Sequence, residues 1–167
     1  AVTTSEDAWP EKGIHYRMHP ENVACLTAAG IDCSVLANNH VLDWGREGLV
    51  ETLDTLHAAG IHTAGAGRDE AEAAEPAAID LPGRGRVLVF AIGCESAGVP
   101  REWEAGMGRA GVNYLPSLSN EAAERVARRV SAAKRAFDIA VVSIHWGGNW
   151  GYRVPRAHRA FAHRILD

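Results

Sequence analysis

The sequence contains few cysteines, no long apolar run and no block of positive charge. Its 167 residues include three cysteines, Cys25, Cys33 and Cys94, and no two of them form a Cys-x-x-Cys pair. Such a sparse, odd set excludes a disulfide framework. We therefore predict three buried thiols that pack as small apolar side chains.

The apolar runs and the net charge exclude two further classes of protein. A run such as residues 87–92 is far shorter than the roughly 20 residues of a membrane-spanning helix, and no signal-peptide pattern is visible. The formal net charge is −4, which argues against nucleic acid as the main partner. With 47% hydrophobic and 23% charged residues, the composition predicts one soluble domain over residues 1–167, either cytoplasmic or tethered to the cell membrane or envelope.

Hydrophobic periodicity predicts an α/β protein with helices and strands in alternation. Predicted helices cover residues 20–30, 45–59, 119–137 and 155–167, with a short helix within 65–75. Predicted strands cover residues 31–37, 61–64 and 138–144, with a hairpin at 77–81 and 86–92 that adds mixed pairing. The first strand is expected to be buried, and Phe137 is expected on the inward face of the third long helix. Residues 93–116 are predicted as a long loop, either functional or a lid.

Polar side chains follow two of the predicted strands directly. Asn38, Asn39 and His40 end the first strand, and Asp43 comes three residues later. His145 and Trp146 follow the strand at 138–144 in the same way. In α/β sheets, ligands collect at the carboxyl ends of strands. The two strand ends therefore indicate an enzyme active site.

The residue types suggest a metal site with an acid beside it. Asn39 and His145 are oxygen and nitrogen donors, a mixture that suits Mn, Fe, Zn or Mg. His40 is adjacent to Asn39 and points elsewhere, so it is predicted to protonate the substrate or to stabilise developing negative charge. Asp43 either orients His40 or caps the next helix. The alternative for Asn39 and His145 is an ordinary hydrogen-bonding role without metal.

Other polar and aromatic residues are weaker candidates. The six remaining histidines are predicted at the surface: His15, His19, His57, His62, His158 and His163. Trp44, Trp146 and Trp150 flank the two polar loops and either line a substrate pocket or, as we favour, pack at the sheet edge. The Gly65-Ala66-Gly67 segment resembles a phosphate-binding loop only weakly, because it lacks a full GxGxxG pattern.

Three segments resemble the CapA family, the capsule and poly-γ-glutamate biosynthesis proteins of the metallophosphatase (calcineurin-like phosphoesterase) superfamily. They are Leu-Ala-Asn-Asn-His-Val-Leu-Asp-Trp-Gly (36–45), Ala-Gly-Ile-His-Thr-Ala-Gly-Ala-Gly-Arg (59–68) and Val-Ser-Ile-His-Trp-Gly-Gly-Asn-Trp-Gly (142–151). The resemblance implies an αββα sandwich, incomplete here, with a two-metal site. It implies that Asn39 and His145 bind metal and that His40 assists the transition state. Asn38, Asp43 and Trp146 would support that site or line its pocket.

The same resemblance leaves three functions open. The first is a metal-dependent hydrolase of the phosphoesterase type, with His40 as general acid. The second is a metal-dependent peptide epimerase, and the third is a non-catalytic accessory subunit of polymer synthesis or export. The substrate would be polyglutamate, a peptide or a phosphoester.

The family's Asp-containing motif near the start and its Gly-His-x-His-like pair near the end do not occur in this sequence. We therefore expect at most part of the two-metal site here, with weak or no metal binding and no turnover by this chain alone. Membrane association is expected only through an N-terminal segment that this sequence does not contain.

Overall fold

The computed structural model describes residues 1–166, which fold into helices and mixed sheets of the α+β class. Within these residues the α-helices are α1 (Ala24–Ala28), α2 (Gly45–Ala58), α3 (Glu70–Ala74), α4 (Asn120–Ala133) and α5 (Arg156–Leu166). The strands are β1 (Cys33–Val35), β2 (His62–Ala64), β3 (Ala66–Gly67), β4 (Ala77–Leu81), β5 (Gly85–Cys94), β6 (Gly111–Val112), β7 (Tyr114–Leu115) and β8 (Ile139–His145). The last residue of the predicted C-terminal helix, Asp167, lies outside the described residues.

Strand β5 is the centre of the largest sheet. β8 runs parallel to it along one side, in a register that begins at Val87↔Ile139 and ends at Gly93↔His145. On its other side, β5 pairs with antiparallel β4 over its first residues and with parallel β7 at its carboxyl end. Two smaller pairs, parallel β1–β2 and antiparallel β3–β6, complete the sheets. The register therefore places His145 at the carboxyl edge of the main sheet.

The long helices form where the sequence predicts them. In α2, Leu49, Leu53 and Leu56 recur at helical spacing and are fully buried against the core. α4 begins at a capping residue, since the Ser119 hydroxyl accepts a hydrogen bond of 3.2 Å from the Ala122 amide. No helix among residues 1–166 has the length and apolar character to cross a membrane.

Two glycines at residues 65–67 serve close packing. A Cβ on Gly65, whose φ is +90°, would lie 2.6 Å from the Cβ atoms of both Ala37 and Ala91. A Cβ on Gly67 would lie 2.3 Å from the Ala73 amide nitrogen at α3. Both glycines are buried. Gly65 lets the segment that follows β1 approach β5, and Gly67 lets β3 approach α3. The weak phosphate-loop interpretation is wrong because the segment faces protein.

Several predicted elements differ in their bounds or burial. β1 is shorter than residues 31–37 and is not buried throughout, since Ile31 is 40% exposed and Val35 is 38% exposed. α4 ends at Ala133, so Phe137 lies outside it and is 85% exposed. The first predicted helix is a 3-10 turn over Pro20–Val23 followed by the five-residue α1.

The segment 93–116 is structured, which corrects its prediction as a long loop or lid. It contains the end of β5, two 3-10 turns, β6 and β7. Val99, Trp103 and Val112 anchor it in the core with no exposed surface. A lid needs freedom to open, and three fully buried anchors remove that freedom.

The cysteines also differ from the expectation of three buried thiols. Cys94 is buried, Cys33 is half-buried and Cys25 is exposed. Burial raises the pKa of the Cys94 thiol to about 11, which keeps it protonated and unreactive at neutral pH. Only Cys94 therefore fits the prediction.

Candidate metal and acid–base site

The two residues predicted as metal ligands contact each other. Asn39 Oδ1 lies 3.2 Å from His145 Nε2, although the two residues are 106 positions apart in the chain. His145 is brought there by the last register position of β8, and Asn39 by the turn that follows β1. Gly98 lies against Asn39, because a Cβ at that position would be 3.3 Å from Asn39 Nδ2. The tertiary fold thus joins the two predicted strand ends into one site.

The 38–43 turn is held by its own side chains. Asn38 Oδ1 accepts a hydrogen bond of 2.9 Å from the His40 amide, the local arrangement by which asparagine stabilises turns. This bond directs the Asn38 side chain back onto the turn. Asn38 therefore supports the conformation of the loop that carries Asn39 and His40.

Asp43 orients His40 and does not cap the helix. Its Oδ2 lies 2.8 Å from His40 Nδ1 and accepts a hydrogen bond of 2.7 Å from the Tyr16 amide. The N-cap position of α2 is occupied by Trp44 and not by Asp43, so the capping alternative is wrong. An ionised carboxylate only accepts, and His40 Nδ1 therefore carries the proton in this contact. His40 Nε2 remains available, on a side chain that is 32% exposed.

Lys12 is part of the same network, and the sequence analysis missed it. Its Nζ donates a hydrogen bond of 2.8 Å to the Asn39 carbonyl oxygen and lies 3.3 Å from Asp43 Oδ1. The ammonium also lies 5.5 Å from the centre of the Trp103 ring, within the range of a cation–π contact. A single lysine in an aperiodic segment carries no sequence signal for this role.

Tyr16 was missed for the same reason. Its ring meets the His40 imidazole edge-on, with 4.6 Å between the ring centres. Together with its amide bond to Asp43, this contact packs the N-terminal segment beside the 38–43 turn. The N-terminal segment therefore lines one side of the candidate site.

Trp146 packs away from the site. Its ring stacks on His158 at 4.6 Å with an angle of 4° between the planes, and it meets Phe161 edge-on. His158 is buried, so its prediction as a surface residue is wrong. The stack ties α5 to the residue that follows His145, which supports the packing interpretation of Trp146. Trp150 is 94% exposed, so it neither packs at the sheet edge nor lines a pocket.

The site favours a neutral His145. Burial lowers the pKa of His145 below its ordinary value, and the charge of nearby His40 lowers it further. Neutral imidazole is the form that binds metal ions. The ring is half-buried, so it remains partly accessible.

The fit to a metal ion is partial. Asn39 Oδ1 and His145 Nε2 converge as one oxygen and one nitrogen donor, which is a suitable pair for a divalent cation. Within the described residues, however, no group of three or more His, Cys, Asp or Glu side chains is arranged to hold a metal. A complete shell of four or more ligands needs donors in addition to this pair.

An α+β fold that carries an asparagine–histidine contact at its strand ends defines a candidate site of the kind expected for CapA-like proteins. All of residues 1–167 match the family described as bacterial capsule synthesis protein PGA_cap, and the chain belongs to this family. The resemblance to CapA proteins is thereby confirmed.

The chain is similar to several curated proteins. Proteins from two Mycobacterium tuberculosis strains, named "Probable polyglutamine synthesis accessory protein", are 42% identical over 167 residues, which is 99% of this chain and 44% of theirs. The PGA biosynthesis protein CapA of Bacillus subtilis is 27% identical over 157 residues, 94% of this chain and 39% of its own length. The capsule biosynthesis protein CapA of Bacillus anthracis is 25% identical over 161 residues, 94% of this chain and 37% of its own. The chain thus spans less than half the length of these relatives.

Proposed function

We propose that this chain carries part of the active site of a metal-dependent hydrolase of the phosphoesterase type, acting in capsule or poly-γ-glutamate biosynthesis. The observation that carries the proposal is the 3.2 Å contact between Asn39 Oδ1 and His145 Nε2. It joins two donors from distant strand ends beside an oriented imidazole. The substrate would be a phosphoester, a peptide or polyglutamate.

Asn39 and His145 would hold a divalent metal ion, Mn, Fe, Zn or Mg. When bound, such an ion polarises a substrate oxygen and lowers the pKa of a water ligand. Asn39 is suited to this because Lys12 holds its backbone carbonyl and leaves the side-chain oxygen directed at His145. The remaining ligands, and any second ion, would come from outside the described residues.

His40 would act on the leaving group. Asp43 holds the proton on Nδ1 and fixes the ring plane, so Nε2 is the atom that carries a proton to substrate. Lys12 balances the Asp43 carboxylate from the opposite oxygen. A general acid held in this way contributes on the order of a hundredfold or more to a rate.

The test uses a longer parent protein that contains this chain, with added Mn²⁺ and a chromogenic phosphoester. We expect His40→Ala to lower kcat by about a hundredfold, and Asn39→Ala or His145→Ala to lower both activity and bound metal. His163→Ala is the matched control, because His163 is exposed on α5. Unchanged rates in the His40 and His145 variants would contradict the proposal.

A second candidate is a non-catalytic accessory role. It is favoured by the incomplete ligand set among residues 1–166 and by the words "accessory protein" in the names of the M. tuberculosis relatives. Elemental analysis of the same parent protein separates the two candidates. Stoichiometric metal that His145→Ala removes supports the hydrolase, and metal-free protein with intact assembly supports the accessory role.

A further inference from the structure

The turn between α4 and β8 holds an aromatic residue out in solvent. Phe137 has a φ of +69°, the left-handed region that side-chain-bearing residues seldom adopt, and it is 85% exposed. Bulky residues in this conformation are strained. Burial of the ring does not offset the strain, so the position of the ring needs another explanation.

The backbone around Phe137 is held by its neighbours. Asp138 accepts hydrogen bonds from the Arg86 guanidinium at 2.6 Å, the Arg86 amide at 3.1 Å and the Arg135 amide at 2.9 Å. Gly85, with a φ of +97°, packs so closely that a Cβ there would lie 2.5 Å from the Phe137 carbonyl oxygen. The turn is therefore fixed whatever side chain residue 137 carries.

Exposed basic residues occur next to Phe137 in the sequence and in the adjoining β4–β5 turn, whose Gly85 packs against the Phe137 backbone. Lys134 and Arg135 precede Phe137 and are exposed, and exposed Arg84 comes from the β4–β5 turn that lines the same surface groove as Arg135. Asp80 is the exposed acid in that groove. Across the chain, residues 120–166 contain nine bases and three acids, whereas residues 1–119 contain eight bases and seventeen acids. Residues 120–166 are thus basic and residues 1–119 acidic, although the net charge of the chain is negative.

We propose that Arg84, Lys134, Arg135 and Phe137, the turn patch, bind the surface of an anionic lipid bilayer. Basic side chains are attracted to anionic headgroups, and an exposed aromatic ring gains from burial at the headgroup boundary. A soluble acidic polymer would pair with the bases but would leave the Phe137 ring in water. The ring therefore favours a lipid surface, and so small a patch binds reversibly.

The position of the patch is compatible with the candidate site. Phe137 lies two residues before the first residue of β8, and His145 is the last residue of that strand. The seven residues of β8 separate the two regions by about 20 Å along the strand. A bilayer at the turn patch thus leaves the carboxyl edge of the sheet open. This inference is independent of the proposed function, and it departs from the expectation that only an N-terminal segment would associate with a membrane.

The experiment is sedimentation of the chain with two kinds of vesicle, phosphatidylcholine alone and an equimolar mixture with phosphatidylglycerol. We expect binding to the anionic vesicles only, weakened by added salt. Lys134→Glu with Arg135→Glu should lower the partition coefficient by about twentyfold or more, and Phe137→Gly by about fivefold.

Two control variants match these changes elsewhere on the chain. Arg156→Glu with Arg159→Glu makes the same charge change on α5, and Met107→Ala removes a side chain that is 98% exposed. Both should bind as the parent sequence does, and thermal unfolding checks that each variant folds. No binding to anionic vesicles, equal loss in the α5 control, or binding to soluble polyaspartate in place of vesicles would overturn the proposal.

Discussion

Two buried carboxylates, one preceding β8 and one in the 38–43 turn of the candidate site, show how the same chemical group serves two purposes. Asp138, just before the amino end of β8, accepts hydrogen bonds from the Arg86 side chain and from two backbone amides. These bonds lower its pKa to about 2, and the Arg86 side-chain hydrogen bond is the largest cause. Asp43, in the 38–43 turn, shares Oδ2 between Tyr16 and His40, and its Oδ1 has Lys12 nearby but no hydrogen bond among residues 1–166. A fully bonded carboxylate locks a turn, whereas an incompletely bonded one next to an exposed imidazole is typical of a functional site.

The largest change in stability is expected when the Asp43 network is broken. Asp43→Asn keeps the shape of the side chain but removes the charge that faces Lys12 and His40. Because breaking a buried ion pair leaves its partner without compensation, we expect a loss of about 3 kcal/mol in the free energy of unfolding. Urea unfolding measures it, and a loss below about 0.5 kcal/mol would show that the network carries no stability.

Lys12→Met tests the same network from its other side. The substitution leaves Asp43 Oδ1 without a counter-charge and the Asn39 carbonyl oxygen without its donor. We expect a loss of about 2 kcal/mol, the penalty of an unsatisfied buried acceptor. Lys134→Met is the matched control and should stay within about 0.5 kcal/mol, since Lys134 is exposed. Equal effects of the two variants would contradict the role given to Lys12.

Acid unfolding tests the role of Asp138, the carboxylate just before β8. The folded pKa of Asp138 is about 2, below the ordinary value of 3.8, so the native state binds fewer protons than the unfolded state between these values. Asp138 therefore contributes stability above about pH 3.8, and this contribution is lost as the pH falls to about 2. Asp138→Asn should lower stability at neutral pH and flatten the fall in that window. An unchanged slope in acid titrations followed by circular dichroism would contradict the assignment.

The smallest expected effect concerns Phe137. Phe137→Gly removes a left-handed backbone penalty while the hydrogen bonds of Asp138 stay in place. We expect a gain of about 0.5–1 kcal/mol, because the relieved strain exceeds the added freedom of glycine in the unfolded chain. Thermal unfolding measures it. Phe137→Ala keeps the strained backbone and should give no such gain.

The helices and strands that sequence patterns predict best are those with strong periodicity. α2, α4 and β8 appear with their main apolar residues where the spacing predicts them. The predictions fail where tertiary contacts decide whether a segment or side chain is buried. The 93–116 segment looks aperiodic but is anchored by Trp103, and His158 looks like a surface residue but lies under Trp146. The Phe137 turn follows from Asp138 and Gly85, which periodicity does not register.

The sequence by itself determined the family, the polar strand ends and the residue types available there, because motif order and residue type are written locally in the chain. Tertiary structure alone decided that Asn39 meets His145, that Asp43 orients His40 and does not cap a helix, and that Lys12 and Tyr16 join them. The physical reason is that the contacts of Asn39, Lys12 and Tyr16 join segments far apart in the chain. His40 and Asp43 are only three residues apart, but the contacts of Asp43 with Lys12 and the Tyr16 amide come from a distant segment. The Asn39–His145 contact depends on the β5–β8 register, which no local pattern specifies.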